Sequence, residues 1–320
     1  MKLVDFVYFC GKFVFVILKK PYTFAHRSWY IEITFRAAKL ITTMAEKKPI
    51  NWLREQELFF SHLFMKKSLE PVIQINVAGH IVKLIKPPNK ERPNRMIIYF
   101  HGGGFILNGG HFYNRFSNEL TQYCSIPTAL LDYSLAPEHV YPKAHHDCVA
   151  MTKGLFALYP QCQFHFIGDS AGAALLLATY QQLTTPEQQR ILSFTLLSPW
   201  VDPSNQTPLI QDNEAYDCLT HHNLKAWLDA YYPKPKQIEL TKQIQNIIQH
   251  PLPPIFIQYA GCEIMAQQID MFVSFLDDHK VSVTVDKAAH LFHNFQIISM
   301  HTYEGKQAIK KIVRFLTDLQ

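Results

Sequence analysis

The sequence predicts an α/β protein with a mainly parallel sheet covered by helices on both faces. Two observations predict it. From Val72 onward, short apolar runs alternate with stretches at helical spacing, the pattern of strands that leave and return through crossover helices. The chain has 320 residues, 48% of them hydrophobic and 18% charged, enough to bury a sizeable core and too apolar for disorder.

The elements follow in order. Residues 1–70 read as helical and aromatic, broken at Lys19-Lys20-Pro21 and Lys47-Lys48-Pro49. "VIQINVAGHIVKLIKP", from Val72, reads as a hairpin of strands. Six further strands are expected at "RMIIYF", "PTALLDY", "FHFIG", "SFTLLSP", "PIFIQYA" and "VSVTV". Helical patterns lie between them at Tyr113–Cys124, His145–Leu158, Ser170–Leu183 and Gln267–His279. Residues 203–250 interrupt this rhythm. They are polar and helical, contain Trp227, Tyr231 and Tyr232, and read as an insertion above the carboxyl edge of the sheet.

Bulk properties exclude several functions. The net charge of +5 comes without a dense Lys/Arg run, so no nucleic-acid partner is expected. The six cysteines are widely spaced and lack a Cys-x-x-Cys pair, which suits reduced, buried thiols in a cytoplasmic protein. The N-terminus, "MKLVDFVYFCGKFVFVILKK", is greasy but short for a membrane span, and no small-x-small cleavage site follows. Asp5, Lys12 and Lys19 fall on one narrow helix face, so residues 1–20 are expected either to pack on the domain or to make peripheral membrane contact.

Two motifs carry chemistry. In "FHFIGDSAGAALLLATY" a strand runs through Gly168-Asp169-Ser170-Ala171-Gly172 directly into a helix. That is the setting of a G-x-S-x-G nucleophile elbow, whose glycines leave room for a tight turn that exposes the serine hydroxyl. In "MIIYFHGGGFILNGG" a strand ends at Phe100 and His101-Gly102-Gly103-Gly104-Phe105 follows. Consecutive glycines leave N–H groups clear to face the oxygen that becomes negative during acyl transfer. The loop lacks the Gly-Lys-Ser/Thr ending of a phosphate-binding loop.

Taken in order, HGGGF, "DYSLAPEHVYPKAHHD", GDSAG and SPWVD resemble the hormone-sensitive-lipase-like family of α/β-hydrolase esterases over about residues 72–300. The resemblance implies an α/β-hydrolase fold: an eight-stranded, mostly parallel sheet under a helical cap. Residues 1–70 would be an N-terminal helical segment contributing to that cap, and 71–320 the catalytic domain, with 203–250 as the cap insertion. It further implies Ser170 as nucleophile, His290 as base, and the N–H groups of Gly102, Gly103 and Ala171 as the oxyanion hole. Phe105, Tyr133, Trp200 and Phe292 are the side chains expected to contact substrate. Asp132, Glu138 and Asp147 match positions that look architectural. The chain departs from the family at Ser134, where arginine is usual, and at Glu263-Ile264-Met265, where Asp-Pro-Leu is usual.

The 16 histidines make any one a weak candidate, but His290 lies after the acid and near the end of the chain, as the order Ser…Asp/Glu…His demands. His293 is its competitor. Glu263 follows the seventh strand and is the expected acid; Asp202, after the sixth, is the runner-up, and Asp270 lies further along a helix. His145-His146-Asp147 and His221-His222 lack spaced zinc partners and read as solvated faces, so no metal is expected. The expectation is a serine carboxylesterase acting, without a cofactor, on short- to medium-chain acyl or aryl esters. An amidase or deacetylase on the same site, a non-catalytic receptor on the same fold and a membrane-associated lipid hydrolase are the alternatives. The sequence leaves the oligomeric state open.

Overall fold

The structure, a computed structural model, describes residues 27–64, 70–88, 92, 94–203, 211–232, 244 and 246–319, with Gly11 and Val14. Residues 1–20, where membrane contact was an expectation, lie almost wholly outside that set. Among the described residues no helix is long and apolar enough to cross a membrane.

Eight strands form one sheet: β1 (Val72–Val77), β2 (His80–Ile85), β3 (Arg95–Phe100), β4 (Thr128–Leu131), β5 (Gln163–Asp169), β6 (Ile191–Leu197), β7 (Ile255–Ala260) and β8 (Val283–Ala288). Their spatial order is β1-β2-β4-β3-β5-β6-β7-β8. β1 and β2 form the expected hairpin and β2 lies antiparallel to β4; every later pairing is parallel.

The central strands show why the sequence reads as unbroken apolar runs. Along β3, Met96, Ile98 and Phe100 enter one core, while Ile97 and Tyr99 enter the other. Helices α3 (Gly110–Cys124) and α8 (Tyr303–Asp318) cover the second core. Helices α4 (Lys143–Leu158), α5 (Ala171–Gln181) and α7 (Ala266–Asp278) cover the first. α5 is buried throughout Ala171–Tyr180, which accounts for a helix that is apolar on every side. α8 goes beyond the expected helices. Ile309, Ile312 and Leu316 bury one face of it, and the Thr302 side chain accepts the Gly305 N–H at its start.

Two further segments lie over the carboxyl ends of the strands. One comprises α1 (Trp29–Ala45) and α2 (Ile50–Phe64); the other carries α6 (His221–Tyr231). Side chains of each reach main-chain carbonyls of the other. Lys39 Nζ donates to the carbonyls of Glu214 (2.7 Å) and Leu219 (3.1 Å), Thr42 Oγ1 to that of Cys218, and Asn223 Nδ2 to that of Thr42 (2.8 Å).

Candidate active site

β5 ends at Asp169 and α5 begins at Ala171, leaving Ser170 between them at φ 50°, ψ −121°. A non-glycine residue reaches this conformation only when its surroundings impose it. Here Ser170 N–H donates to the Leu197 carbonyl (2.9 Å), and the Ser170 carbonyl accepts the Trp200 N–H (3.0 Å). The flanking glycines are steric requirements. A Cβ on Gly172 would stand 2.1 Å from the Phe100 carbonyl oxygen, and one on Gly168 would stand 2.8 Å from Ala173 Cα.

After β3 the chain turns through His101-Gly102-Gly103-Gly104. Asp169, fully buried, organises the turn by accepting four hydrogen bonds. Its Oδ1 takes the Tyr99 hydroxyl (2.9 Å) and the Gly102 N–H (2.8 Å); its Oδ2 takes the Tyr113 hydroxyl (3.0 Å) and Asn294 Nδ2 (2.7 Å). Burial pushes the Asp169 carboxyl up to about 6, against these donors, which favour the anion. The expectation for Gly102 is thereby corrected. Its N–H is spent on Asp169, whereas Gly103 and Gly104, at φ 95° and 59°, line the cavity beside Ser170. Gly104 must lack a side chain because a Cβ there would meet the Trp227 ring at 2.6 Å.

The histidine that meets Glu263 is not the expected His290. His293, buried, places Nδ1 3.1 Å from Glu263 Oε2 and lines the same cavity as Ser170. His290 is part-buried and does not line that cavity; its main-chain carbonyl accepts a hydrogen bond from Arg27 Nε. Glu263 lies in the turn after β7, which brings it to His293; Asp202 does not make that contact. Asp270 faces Tyr259 and Lys287 instead.

A second buried carboxylate, Asp217, stands behind this pair. Its Oδ1 accepts the N–H of His293 (2.8 Å) and its Oδ2 the N–H of Ile264, next to Glu263 (2.9 Å). Burial lowers the His293 imidazole below its ordinary value, and the charges of Asp217 and Asp169 oppose that shift. Burial likewise pushes the Glu263 carboxyl up to about 8, with the Ser198 hydroxyl opposing. Burial thus favours the neutral imidazole, and the Asp217 and Asp169 charges favour the imidazolium.

A family model described as alpha/beta hydrolase fold matches residues 97–297. The chain belongs to this family of α/β hydrolases. Among its relatives is the carboxylesterase/phospholipase LipF of Mycobacterium tuberculosis, 25% identical over 255 residues, covering 76% of this chain and 68% of LipF. An esterase of Acinetobacter venetianus is 24% identical over 257 residues, covering 78% of this chain and 82% of that one. A mutant of the esterase E40 superposes with a TM-score of 0.82 at 20% identity, over 92% of this chain and 99% of that one. An esterase from the bacterial hormone-sensitive lipase family gives 0.81 at 21% identity, with the same coverage. These structural likenesses show the fold.

In this α/β hydrolase the four side chains expected to touch substrate lie elsewhere. Phe105 stacks on Tyr231 at 4.4 Å, with Trp200 6.0 Å away, and both Phe105 and Trp200 are fully buried. Tyr133 stacks on His101 (4.2 Å) and donates its hydroxyl to the His101 carbonyl (2.7 Å), so it braces the glycine loop from behind. Phe292 packs toward Phe35 at 5.5 Å. The cavity, about 190 Å³, is lined instead by residues of the two covering segments, among them Ile41, Leu53, Phe60, Leu224 and Trp227. Sequence reasoning also missed Asp217, Asn294 and Glu57. None sits in a glycine-marked motif, and only the LFHN spacing, which puts Asn294 beside a histidine, offered any signal. His145 is not solvated as expected: it is buried, with Nδ1 2.9 Å from the Tyr231 hydroxyl and Nε2 3.2 Å from that of Tyr232.

Proposed function

We propose that this α/β hydrolase is a serine carboxylesterase with a Ser170–His293–Glu263 triad. The observation that carries the reading is one cavity into which Ser170, His293, Gly103 and Gly104 all face, with His293 Nδ1 on Glu263. His293 takes the Ser170 proton as the hydroxyl oxygen attacks the ester carbonyl. The oxyanion is received by the N–H groups of Gly103, Gly104 and Ala171, the last at the amino end of α5, where the helix dipole adds to the donor. His293 then gives the proton to the leaving alcohol, and water, activated by the same imidazole, releases the acid from Ser170. Glu263 fixes the imidazole tautomer and stabilises the imidazolium. The relatives named carboxylesterase and esterase support the reaction class. The apolar lining supports short- to medium-chain acyl or aryl esters as substrates. Residues 27–64 and 211–232 act as the cap.

A p-nitrophenyl ester series tests this with the wild type and Ser170→Ala, His293→Ala, His290→Ala and Glu263→Gln. Loss of Ser170 or His293 should lower kcat by about 10³-fold or more. His290→Ala should stay within a small factor of wild type. Full activity in Ser170→Ala would sink the mechanism, and a crippled His290→Ala beside an active His293→Ala would restore the other histidine.

A further inference from the structure

The proposed cavity has a polar anomaly on the wall facing away from the sheet. Glu57 is the only carboxylate among its described lining residues. On α2 it follows Leu53 by four residues and precedes Phe60 by three, so it shares the face those two apolar side chains turn to the cavity. No salt bridge neutralises it among the described residues. Arg54, one turn earlier, points to Glu138 Oε1 (2.7 Å) and to the carbonyls of Ile106 (2.7 Å) and Ala136 (2.6 Å). Glu57 is half-buried, and burial pushes its carboxyl up to about 8 against the Gly109 N–H and the Arg54 charge, which favour the anion. Of the other polar lining groups, the Tyr113 hydroxyl and Asn294 Nδ2 both donate to Asp169 and Thr42 Oγ1 donates to the Cys218 carbonyl, while the buried Asn294 Oδ1 has no partner among the described residues.

A carboxyl desolvated in this way costs stability, and a leucine on the same face would remove the cost. The cost is offset if a ligand brings the missing donor. An ammonium group would bring three donors to a wall that offers acceptors at one residue, and its charge would enter an apolar space. A hydroxyl brings one donor and one acceptor, which a carboxyl can match in either protonation state.

We propose that Glu57 is a specificity-determining residue that receives a hydroxyl carried on the chain of the ester, so that the enzyme prefers hydroxylated esters to plain alkyl ones. This rests on the esterase reading above. Glu57 binds the chain and takes no part in proton transfer at Ser170.

The test compares p-nitrophenyl hexanoate with p-nitrophenyl 6-hydroxyhexanoate on the wild type, Glu57→Leu and Glu57→Gln. The wild type should favour the hydroxylated ester by about three- to tenfold in kcat/KM, the worth of one hydrogen bond inside a dry pocket. Glu57→Leu should reverse that preference, chiefly through KM, and Glu57→Gln, which keeps an acceptor and a donor, should restore part of it. Equal preference in wild type and Glu57→Leu would overturn the proposal. A second measurement needs no turnover. Methyl 6-hydroxyhexanoate should raise the Tm of Ser170→Ala more than methyl hexanoate does, and the difference should vanish in Ser170→Ala/Glu57→Leu. If the wild type hydrolyses neither p-nitrophenyl ester, the esterase reading fails, and the Tm comparison still decides the role of Glu57: no difference between the two methyl esters sinks it.

Discussion

The Asp217 carboxylate accepts the His293 N–H at 2.8 Å while its other oxygen holds the Ile264 N–H at 2.9 Å. One side chain from the segment over the site thus fastens the loops that bear Glu263 and His293, the proposed acid and base. Asp217→Asn replaces one acceptor by an NH2 group that would face the Ile264 N–H, and it removes a charge that favours the imidazolium. It should lower kcat by about 10- to 100-fold through misplacement of the triad, with a smaller change in KM. Steady-state kinetics on the purified variant, with a melting curve to establish that it folds, check this. Unchanged kcat would mean that Asp217 serves only to close the fold.

The pH dependence has a definite sign. As the proposed base, His293 must be neutral to accept the Ser170 proton, and burial lowers its pKa from the ordinary 6.5. The neutral form then persists below that value, so the acid limb of kcat/KM should lie below pH 6.5. Asp217 and Asp169 raise the imidazole toward the charged form, and Glu263 lies against it. Removing the Asp217 charge should therefore carry the acid limb further down in Asp217→Asn. A limb that moves up in the variant would contradict the electrostatic account.

Asp169 collects donors from β3, the glycine loop, α3 and the histidine loop. Asp169→Ala leaves two tyrosine hydroxyls, one N–H and one amide buried without their acceptor. Unsatisfied buried donors cost about 1–3 kcal/mol each before relaxation, so the variant should lose at least ~3 kcal/mol of stability and most of its activity. Urea unfolding measures the first and an ester assay the second. A loss under ~1 kcal/mol would show that water replaces the carboxylate.

Gly104→Ala puts a methyl group 2.6 Å from the Trp227 ring. The main chain at φ 59° tolerates alanine only at a cost of about 1 kcal/mol, so the clash with the ring is the larger effect. The variant should lose activity by tilting the loop or displacing Trp227. Gly104→Ala/Trp227→Ala should recover stability and, if the loop N–H returns to place, activity. Failure of the double variant to recover stability would locate the clash elsewhere.

The sheet and the nucleophile turn were legible because their physics is local. Apolar runs such as Met96–Phe100 need no partner to be read as buried, and Gly168 and Gly172 mark a turn that side chains would block. The place of Glu263 after a strand was legible, and the structure sets that carboxyl against a histidine. The neighbouring distinctions were not. His290 and His293 sit three residues apart in one loop, and either satisfies the chain order. What separates them is Asp217, remote in sequence, holding the 293 N–H, together with Asn294 at φ 54° turning the loop inward. Gly102 and Gly104 belong to one run of glycines, and only the fold shows that Asp169 takes the N–H of the first. The aromatic residues beside the motifs invited assignment to the substrate, yet Phe105, Tyr133 and Trp200 are spent on packing the loops. The cavity wall comes instead from helices with no motif at all.

The attachment of α1 to the segment carrying α6 rests on side chains donating to main-chain oxygens: Lys39 and Thr42 in one direction and Asn223 in the other. A carbonyl is supplied by every residue type. The tether is therefore indifferent to the side chain at Leu219, which faces the cavity, whereas Glu214 and Cys218 also bond through their side chains, to the His221 N–H and to the His293 carbonyl. Selection is left free to vary the lining while the architecture above the serine holds, a separation of tether from surface that allows substrate range to drift between lineages.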